Sequence, residues 1–142
     1  MKKILLIIAV IIIANSCIKE TPEIYGYYTI TNQYENEIEL KLFNNGIYSD
    51  SLNIATDENI EYTFYDKAGI PQPPPFIADS LLVIFNDSVS VMHYRNEEQL
   101  VERSLLLDES WTELNVNEYE YRFDYVFSED DYLEAVEILL GN

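Results

Sequence analysis

The chain has 142 residues, of which 26 are acidic, 8 are basic and one is a cysteine, and its formal net charge is −18. This charge repels nucleic-acid phosphates, which proteins bind through lysine and arginine, so DNA and RNA are excluded as partners. The length predicts one domain, and the single cysteine excludes an intramolecular disulfide.

The N-terminal segment has the order of residues found in an export signal. Lys2 and Lys3 precede an unbroken apolar run of eleven residues, 4–14, and small or polar residues then lead to Cys17. We predict a signal peptide over residues 1–16. A helix of the apolar run would span about 16 Å, against a hydrocarbon core of roughly 30 Å in a bilayer, so a membrane-spanning anchor is disfavoured.

The residues up to Cys17 resemble a bacterial lipoprotein signal, in which a cysteine is acylated and becomes the N-terminus of the mature protein. The resemblance implies an acylated cysteine and a short linker over residues 17–23, and two or three acyl chains would hold the protein stably on a membrane. No aspartate follows Cys17 directly, which in such lipoproteins favours the outer membrane; whether the domain faces the periplasm or the exterior stays open. An intermolecular disulfide or a free thiol is the alternative role for this cysteine.

The mature chain would be more acidic than the precursor. Removal of residues 1–16 takes away two lysines and leaves 6 basic and 26 acidic side chains, so that the formal charge becomes −20. We interpret most of this charge as a solvated surface that keeps the protein soluble. Cations or a basic protein partner are the alternative interpretation.

Alternation of apolar and polar residues predicts strands along most of the chain. In the range 37–42 the apolar residues point one way and the charged residues the other, and the range 60–64 repeats the pattern. Asn44–Gly46 and Asn86–Asp87 are predicted hairpin turns, because these residues tolerate positive φ. The strand over residues 81–85 is apolar on both faces and is therefore predicted to be central.

Four prolines between residues 71 and 75 interrupt this pattern. Proline cannot donate to a sheet and favours an extended conformation, so we predict a stiff crossover between sheets. A recognition segment for a proline-binding partner is the alternative.

The last strand and the helix after it have the clearest patterns in the chain. Aromatic residues share one face of the strand, which predicts a core face, with carbohydrate binding as the alternative; they are Tyr119, Tyr121, Phe123, Tyr125 and Phe127. A helix is predicted over residues 128–140, capped by Ser128 with Asp131 and stopped by Gly141. Its predicted apolar face consists of Tyr132, Ala135, Val136, Leu139 and Leu140.

Seven or eight strands at this spacing predict one domain over residues 24–142. The expected fold is mainly β, an antiparallel β-sandwich, immunoglobulin-like or similar, with one C-terminal α-helix. A small open barrel covered by the helix is the alternative.

Three segments also resemble a family. They are "ITNQYENEIELKLFNNG", "PPFIADSLLVIFND" and "YEYRFDYVFSEDDYLEA", and their order is similar to that in the small uncharacterised envelope lipoproteins abundant in Bacteroidota. The resemblance implies an envelope lipoprotein with a β-rich domain. The family brings no known activity and no catalytic residues.

Few residues are candidates for chemistry. His93 is the one histidine and is interpreted as structural or exposed, since zinc and copper sites need several histidines or thiolates. Oxygen-rich segments at 56–58, 108–110 and 128–131 lack the spacing of a calcium loop. The sequence therefore predicts no metal, no cofactor and no catalytic residue.

Trp111 is the candidate ligand-binding residue. It lies in a predicted loop, "DESWTEL", where it is either an exposed binding aromatic residue or a lid over the core edge. The favoured function is a non-enzymatic, lipid-anchored module that meets a protein or a glycan. The alternative function is a carboxylate-dependent hydrolase, for example a glycan-directed one, at the cell envelope.

Overall fold

The computed structural model describes residues 22–66, 69, 71–95 and 100–141. The predicted segments 1–16 and 17–23, apart from residues 22 and 23, lie outside this range. Eight strands precede one helix, α1 (Glu129–Leu140), and a short 3₁₀ turn at Asp108–Ser110 precedes the seventh strand. The strands are β1 (Ile24–Asn32), β2 (Ile38–Asn44), β3 (Ile47–Ile54), β4 (Asn59–Asp66), β5 (Ser80–Phe85), β6 (Val89–Tyr94), β7 (Thr112–Asn117) and β8 (Glu120–Phe127).

The strands form two four-stranded sheets that pack on a shared core, which confirms the predicted β-sandwich. Sheet A has the order β4-β1-β8-β7, and sheet B has the order β3-β2-β5-β6. The chain passes from sheet A to sheet B through the proline-rich segment between β4 and β5, as predicted for a crossover. The predicted central strand, β5, lies between β2 and β6.

One pair departs from the predicted antiparallel arrangement. β1 and β8 are parallel neighbours, with Tyr25 opposite Glu120 and Asn32 opposite Phe127. Residues 33–119 separate the two strands, so the long crossover that a parallel pair needs is available. The resulting strand order differs from the ABED and CFG sheets of an immunoglobulin domain.

The two predicted hairpin turns are confirmed, since Asn45, Gly46, Asn86 and Asp87 all have positive φ. Two consecutive positive values match the twist of the flanking strands. The core is the alternating inner face of both sheets, and the most enclosed large side chains include Ile30, Leu40, Phe85, Tyr125 and Phe127. The aromatic face of β8 is therefore core, as predicted, except that Tyr119 lies in the turn before the strand and is 41% exposed.

Helix α1 is confirmed with its capping box of Ser128 and Asp131 and with Gly141 at its C-terminus. Tyr132, Ala135 and Val136 pack against the core as predicted. The prediction was wrong for Leu139 and Leu140, which are 62% and 69% exposed, whereas Ile138 packs in the last turn. Periodicity identifies the apolar face of a helix. It does not show whether the core extends far enough to cover that face in the last turn.

Candidate ligand-binding site

Trp111 is 6% exposed and lies over the core. The alternative prediction of an exposed aromatic residue is therefore wrong, and the prediction of a lid over the core edge is the one that the structure supports. Its indole Nε1 donates to the carbonyl oxygen of Leu105 at 3.1 Å. Its ring meets Tyr28 and Tyr125 edge to face, with centroids 6.1 and 5.6 Å apart. These contacts give the side chain a packing role, and ligand binding by Trp111 stays a prediction.

The segment that leads to Trp111 packs against the core through its own apolar side chains. Val101, Leu105 and Leu106 are all in the core, and the 3₁₀ turn that follows them leads into β7. One edge of Trp111 borders a polar hollow of about 290 Å³, together with Asp108 and Glu109.

A groove of about 580 Å³ lies where β4 ends and the crossover begins. We call it the proline groove; its walls include Phe64, Tyr65, Pro71, Pro74, Pro75, Phe76 and Ile77, and Asn44, Gln72, Asp79 and Arg95 supply polar groups. Mainly apolar walls with a few polar groups are typical of small-molecule sites of 300–1,000 Å³. The groove lies at the end of the sandwich at which β1 begins.

Hydrogen bonds fix the crossover that forms one wall of the groove. Arg95 donates through Nε to the carbonyl oxygen of Ala78 at 2.8 Å and through Nη2 to that of Phe76 at 3.2 Å. Asp79 accepts the backbone N–H of Asn45, and its own N–H donates to Phe43 at 3.1 Å. The guanidinium and the carboxylate therefore hold the wall in place.

Tyr28 connects the groove to the core. Its hydroxyl donates to the carbonyl oxygen of Gln72 at 3.3 Å, and its ring stacks on Phe123 with centroids 5.1 Å apart. Burial raises the pKa of the Tyr28 phenol to about 12. The phenol stays neutral at ordinary pH and acts there as a hydrogen-bond donor.

Carboxylates gather in a different place, at the start of α1. Asp131 accepts from the backbone N–H and hydroxyl of Ser128 at 2.8 and 2.9 Å and lies 3.5 Å from Arg103. Glu134 accepts the backbone N–H of Glu102 at 2.6 Å, and burial raises the pKa of its carboxyl. Asp131 therefore caps the helix, and both acids connect α1 to the segment at Glu102 and Arg103, which gives them a structural role.

His93 is 3% exposed on β6, and its Nδ1 accepts the backbone N–H of Leu105 at 3.0 Å. The structural interpretation is confirmed, and the exposed alternative is wrong. Among the described residues, no three His, Cys, Asp or Glu side chains meet in a metal-binding arrangement. Within that same part of the chain, no helix is long and apolar enough to cross a membrane.

Sequence reasoning found the crossover but missed the groove beside it. The prolines predict an extended connection, whereas the groove depends on where that connection lies against β4. Cys17 lies outside the described residues, so its predicted acylation stays a prediction. No protein-family model matches the chain, and neither a curated protein nor a solved structure shows significant similarity to it.

Proposed function

We propose that the chain is a lipid-anchored bacterial envelope protein, held on the outer membrane through acylated Cys17, whose sandwich binds a ligand without catalysis. The observation that carries the proposal is the position of the one cysteine, directly after a basic, then apolar, then small-residue segment. The resemblance to the small envelope lipoproteins of Bacteroidota is part of the same proposal.

The start of the fold is consistent with a short tether. β1 begins at Ile24, so six residues separate it from Cys17 and reach at most about 25 Å when fully extended. The end of the sandwich that bears the proline groove would therefore stay near the membrane surface. This end would be the part of the domain that meets ligands close to the membrane.

Binding is favoured over hydrolysis by the chemistry of the proline groove and of the carboxylates at the start of α1. The proline groove has mainly aromatic and proline walls, and Asp131 and Glu134 are held by hydrogen bonds that fix α1. A glycosidase needs two carboxyl groups on opposite sides of a bond, one of them able to give a proton. Asp131 and Glu134 are instead occupied by structural partners.

The test is the mass and location of the protein in a bacterial host that acylates lipoproteins. Wild type is expected in the membrane fraction, and its intact mass should exceed that of residues 17–142 by a diacylglyceryl group on the Cys17 sulfur, with or without a further acyl group on the Cys17 amino group. Cys17→Ser should be released or kept as a precursor, whereas Ser16→Ala, which preserves the cysteine and a small residue before it, should behave as wild type. A mature wild-type protein with a bare thiol would contradict the proposal.

A further inference from the structure

The outer face of sheet A carries a group of tyrosines that the core does not use. β1 alternates, so that Tyr28 and Ile30 point into the core while Tyr25 and Tyr27 point outward. Tyr65 of the neighbouring strand β4 pairs with Tyr25 and is 65% exposed. We call Tyr25, Tyr27 and Tyr65 the tyrosine platform.

Tyr25 lies beside both other rings of the platform. The Tyr25 and Tyr27 centroids are 6.5 Å apart with planes 20° from parallel, and the Tyr65 centroid is 6.4 Å from that of Tyr25 with the planes tilted by 42°. Tyr65 also forms part of the wall of the proline groove, so the platform and the groove share this residue. Ring faces on an open sheet can stack on other flat, apolar faces.

Neighbouring charged groups hold two of the rings in place. The Tyr25 hydroxyl donates to Glu23 at 2.8 Å, and this hydrogen bond raises the pKa of the phenol. Tyr27 lies opposite Arg122 in the β1–β8 pair, and the Arg122 guanidinium carbon is 5.9 Å from the ring centroid. A ring that is fixed before binding loses less side-chain entropy when a ligand arrives.

A trough of about 270 Å³ lies beside the platform and supplies hydrogen-bonding groups. Thr29, Thr63, Glu61, Arg122 and Asp124 line it together with Tyr27. Carboxylates accept hydrogen bonds from hydroxyl groups, the threonine hydroxyls both donate and accept, and the guanidinium donates. The trough is therefore suited to a ligand that has many hydroxyl groups.

Charge selects among the ligands that have such hydroxyl groups. The chain is strongly acidic overall, and Glu61 and Asp124 both line the trough, so a polyanion would be repelled. A neutral sugar has one apolar ring face for the tyrosines and hydroxyls for the trough. We propose that the tyrosine platform and its trough bind a neutral oligosaccharide. The proposal rests on the binding role given above but not on the acylation of Cys17.

The experiment is affinity electrophoresis of the full chain, purified in detergent, through native gels that contain a neutral or an anionic polysaccharide. Laminarin and dextran serve as the neutral probes, and polygalacturonate serves as the anionic probe. At least one neutral polysaccharide should retard wild type, and polygalacturonate should not. Tyr25→Ala, Tyr27→Ala and Tyr65→Ala should each weaken that retardation about tenfold, which corresponds to about 1.4 kcal/mol.

Control variants separate binding from folding. Tyr48→Ala removes a 55% exposed tyrosine from the other sheet and should leave retardation unchanged. Tyr27→Phe keeps the ring and should retain most of the affinity, and the fluorescence of buried Trp111 reports whether each variant is folded.

The proposal would be overturned if none of the neutral probes retarded the protein or if retardation survived in the Tyr25→Ala/Tyr27→Ala double variant. The proposal would also be overturned if replacement of the platform tyrosines left polysaccharide binding unchanged but abolished the binding of the Cys17→Ser protein to phosphatidylcholine vesicles. The tyrosines would then be a membrane contact.

Discussion

The Nδ1 atom of His93 accepts the backbone N–H of Leu105 at 3.0 Å, and this hydrogen bond joins β6 to the buried segment that leads to Trp111. The same Leu105 accepts the indole N–H of Trp111 through its carbonyl oxygen. Both polar groups of one backbone residue are thus satisfied by buried side chains. The one histidine and the one tryptophan of the chain consequently fix the same irregular segment.

The buried His93 should make the protein less stable in mild acid. Burial lowers the pKa of His93 from 6.5 to about 4, so between these values the unfolded chain binds a proton that the folded chain does not. Stability is complete above pH 6.5 and falls as the pH drops towards 4, by up to about 3 kcal/mol from this group. Urea unfolding between pH 4 and 7.5 measures the slope.

His93→Asn is the matched variant for this prediction, because its amide oxygen can accept the Leu105 N–H but does not titrate. Carboxylates also titrate in this range, so the quantity of interest is the difference between wild type and variant. That difference should shrink or reverse as the pH falls. Parallel stability curves for the two proteins would show that His93 does not contribute.

Replacement of Trp111 should affect stability more than its position in a sequence-predicted loop implies. Trp111→Phe leaves the buried Leu105 carbonyl without its indole donor and should cost about 1–3 kcal/mol. Trp111→Ala also opens a cavity and should cost about 3–5 kcal/mol. Chemical denaturation measures both, and Tyr119→Ala at a 41% exposed turn position is the control, with an expected effect within about 0.5 kcal/mol.

The fluorescence of wild type checks the same structural feature. As the one tryptophan of the chain, Trp111 should emit at shorter wavelength than free tryptophan and should be poorly quenched by iodide. Strong quenching in the native state would contradict the burial of Trp111.

Asn32 is a buried polar residue whose side chain is fully satisfied. Its amide nitrogen donates to the carbonyl oxygens of Asn36 and Ile54 at 2.7 and 3.0 Å, and its amide oxygen accepts the N–H of Tyr34 at 2.9 Å. Asn32→Ala should cost about 3 kcal/mol, because it leaves several enclosed backbone groups without partners. Thermal and urea unfolding measure the loss.

Asn32→Asp sharpens this prediction. The carboxylate keeps an acceptor for Tyr34 but faces two carbonyl oxygens, so this variant should be less stable than Asn32→Ala at pH 7 and should recover partly in acid. Asn53→Ala, at an exposed position next to Ile54 in β3, is the control and should be nearly neutral. Equal stability of the two Asn32 variants at pH 7 would contradict the hydrogen-bond assignment.

The sequence predicts those parts of the fold that depend on residues close together in the chain. The turns at Asn45 and Asn86, the inner face of β8 and the capping box at Ser128 each depend on residues a few positions apart. The parallel pairing of β1 with β8 depends on residues about a hundred positions apart, and alternation alone does not specify a partner strand. The direction of that pair therefore could not be predicted.

The candidate sites were missed for a related reason. The tyrosine platform combines Tyr25 and Tyr27 with Tyr65 from another strand, and only the β1–β4 register brings them together. The burial of Trp111 had a local indication, because the consecutive leucines 105–107 precede it and are unusual in a solvent-exposed loop.

Gly26 should be the position in β1 least tolerant of a larger residue. A Cβ atom there would lie 2.6 Å from the Cβ of Pro71 and 2.8 Å from the Tyr28 hydroxyl. In an open strand Gly→Ala is stabilising by roughly 0.5–1 kcal/mol, but here the overlap should reverse the sign, so Gly26→Ala is expected to cost about 1–3 kcal/mol. Gly69→Ala, with nothing within 4 Å of its added Cβ, is the control and should be neutral or slightly stabilising.

A double-mutant cycle identifies the cause of that loss. The Tyr28 hydroxyl is the end of a side chain and can shift, whereas Pro71 belongs to the wall of the proline groove and is held by its backbone. Pro71→Gly removes the Cβ that Gly26→Ala would strike, so the double variant should lose less stability than the sum of the single variants, by about 1 kcal/mol or more. Strict additivity in urea unfolding would mean that β1 and the crossover are not in contact at this point.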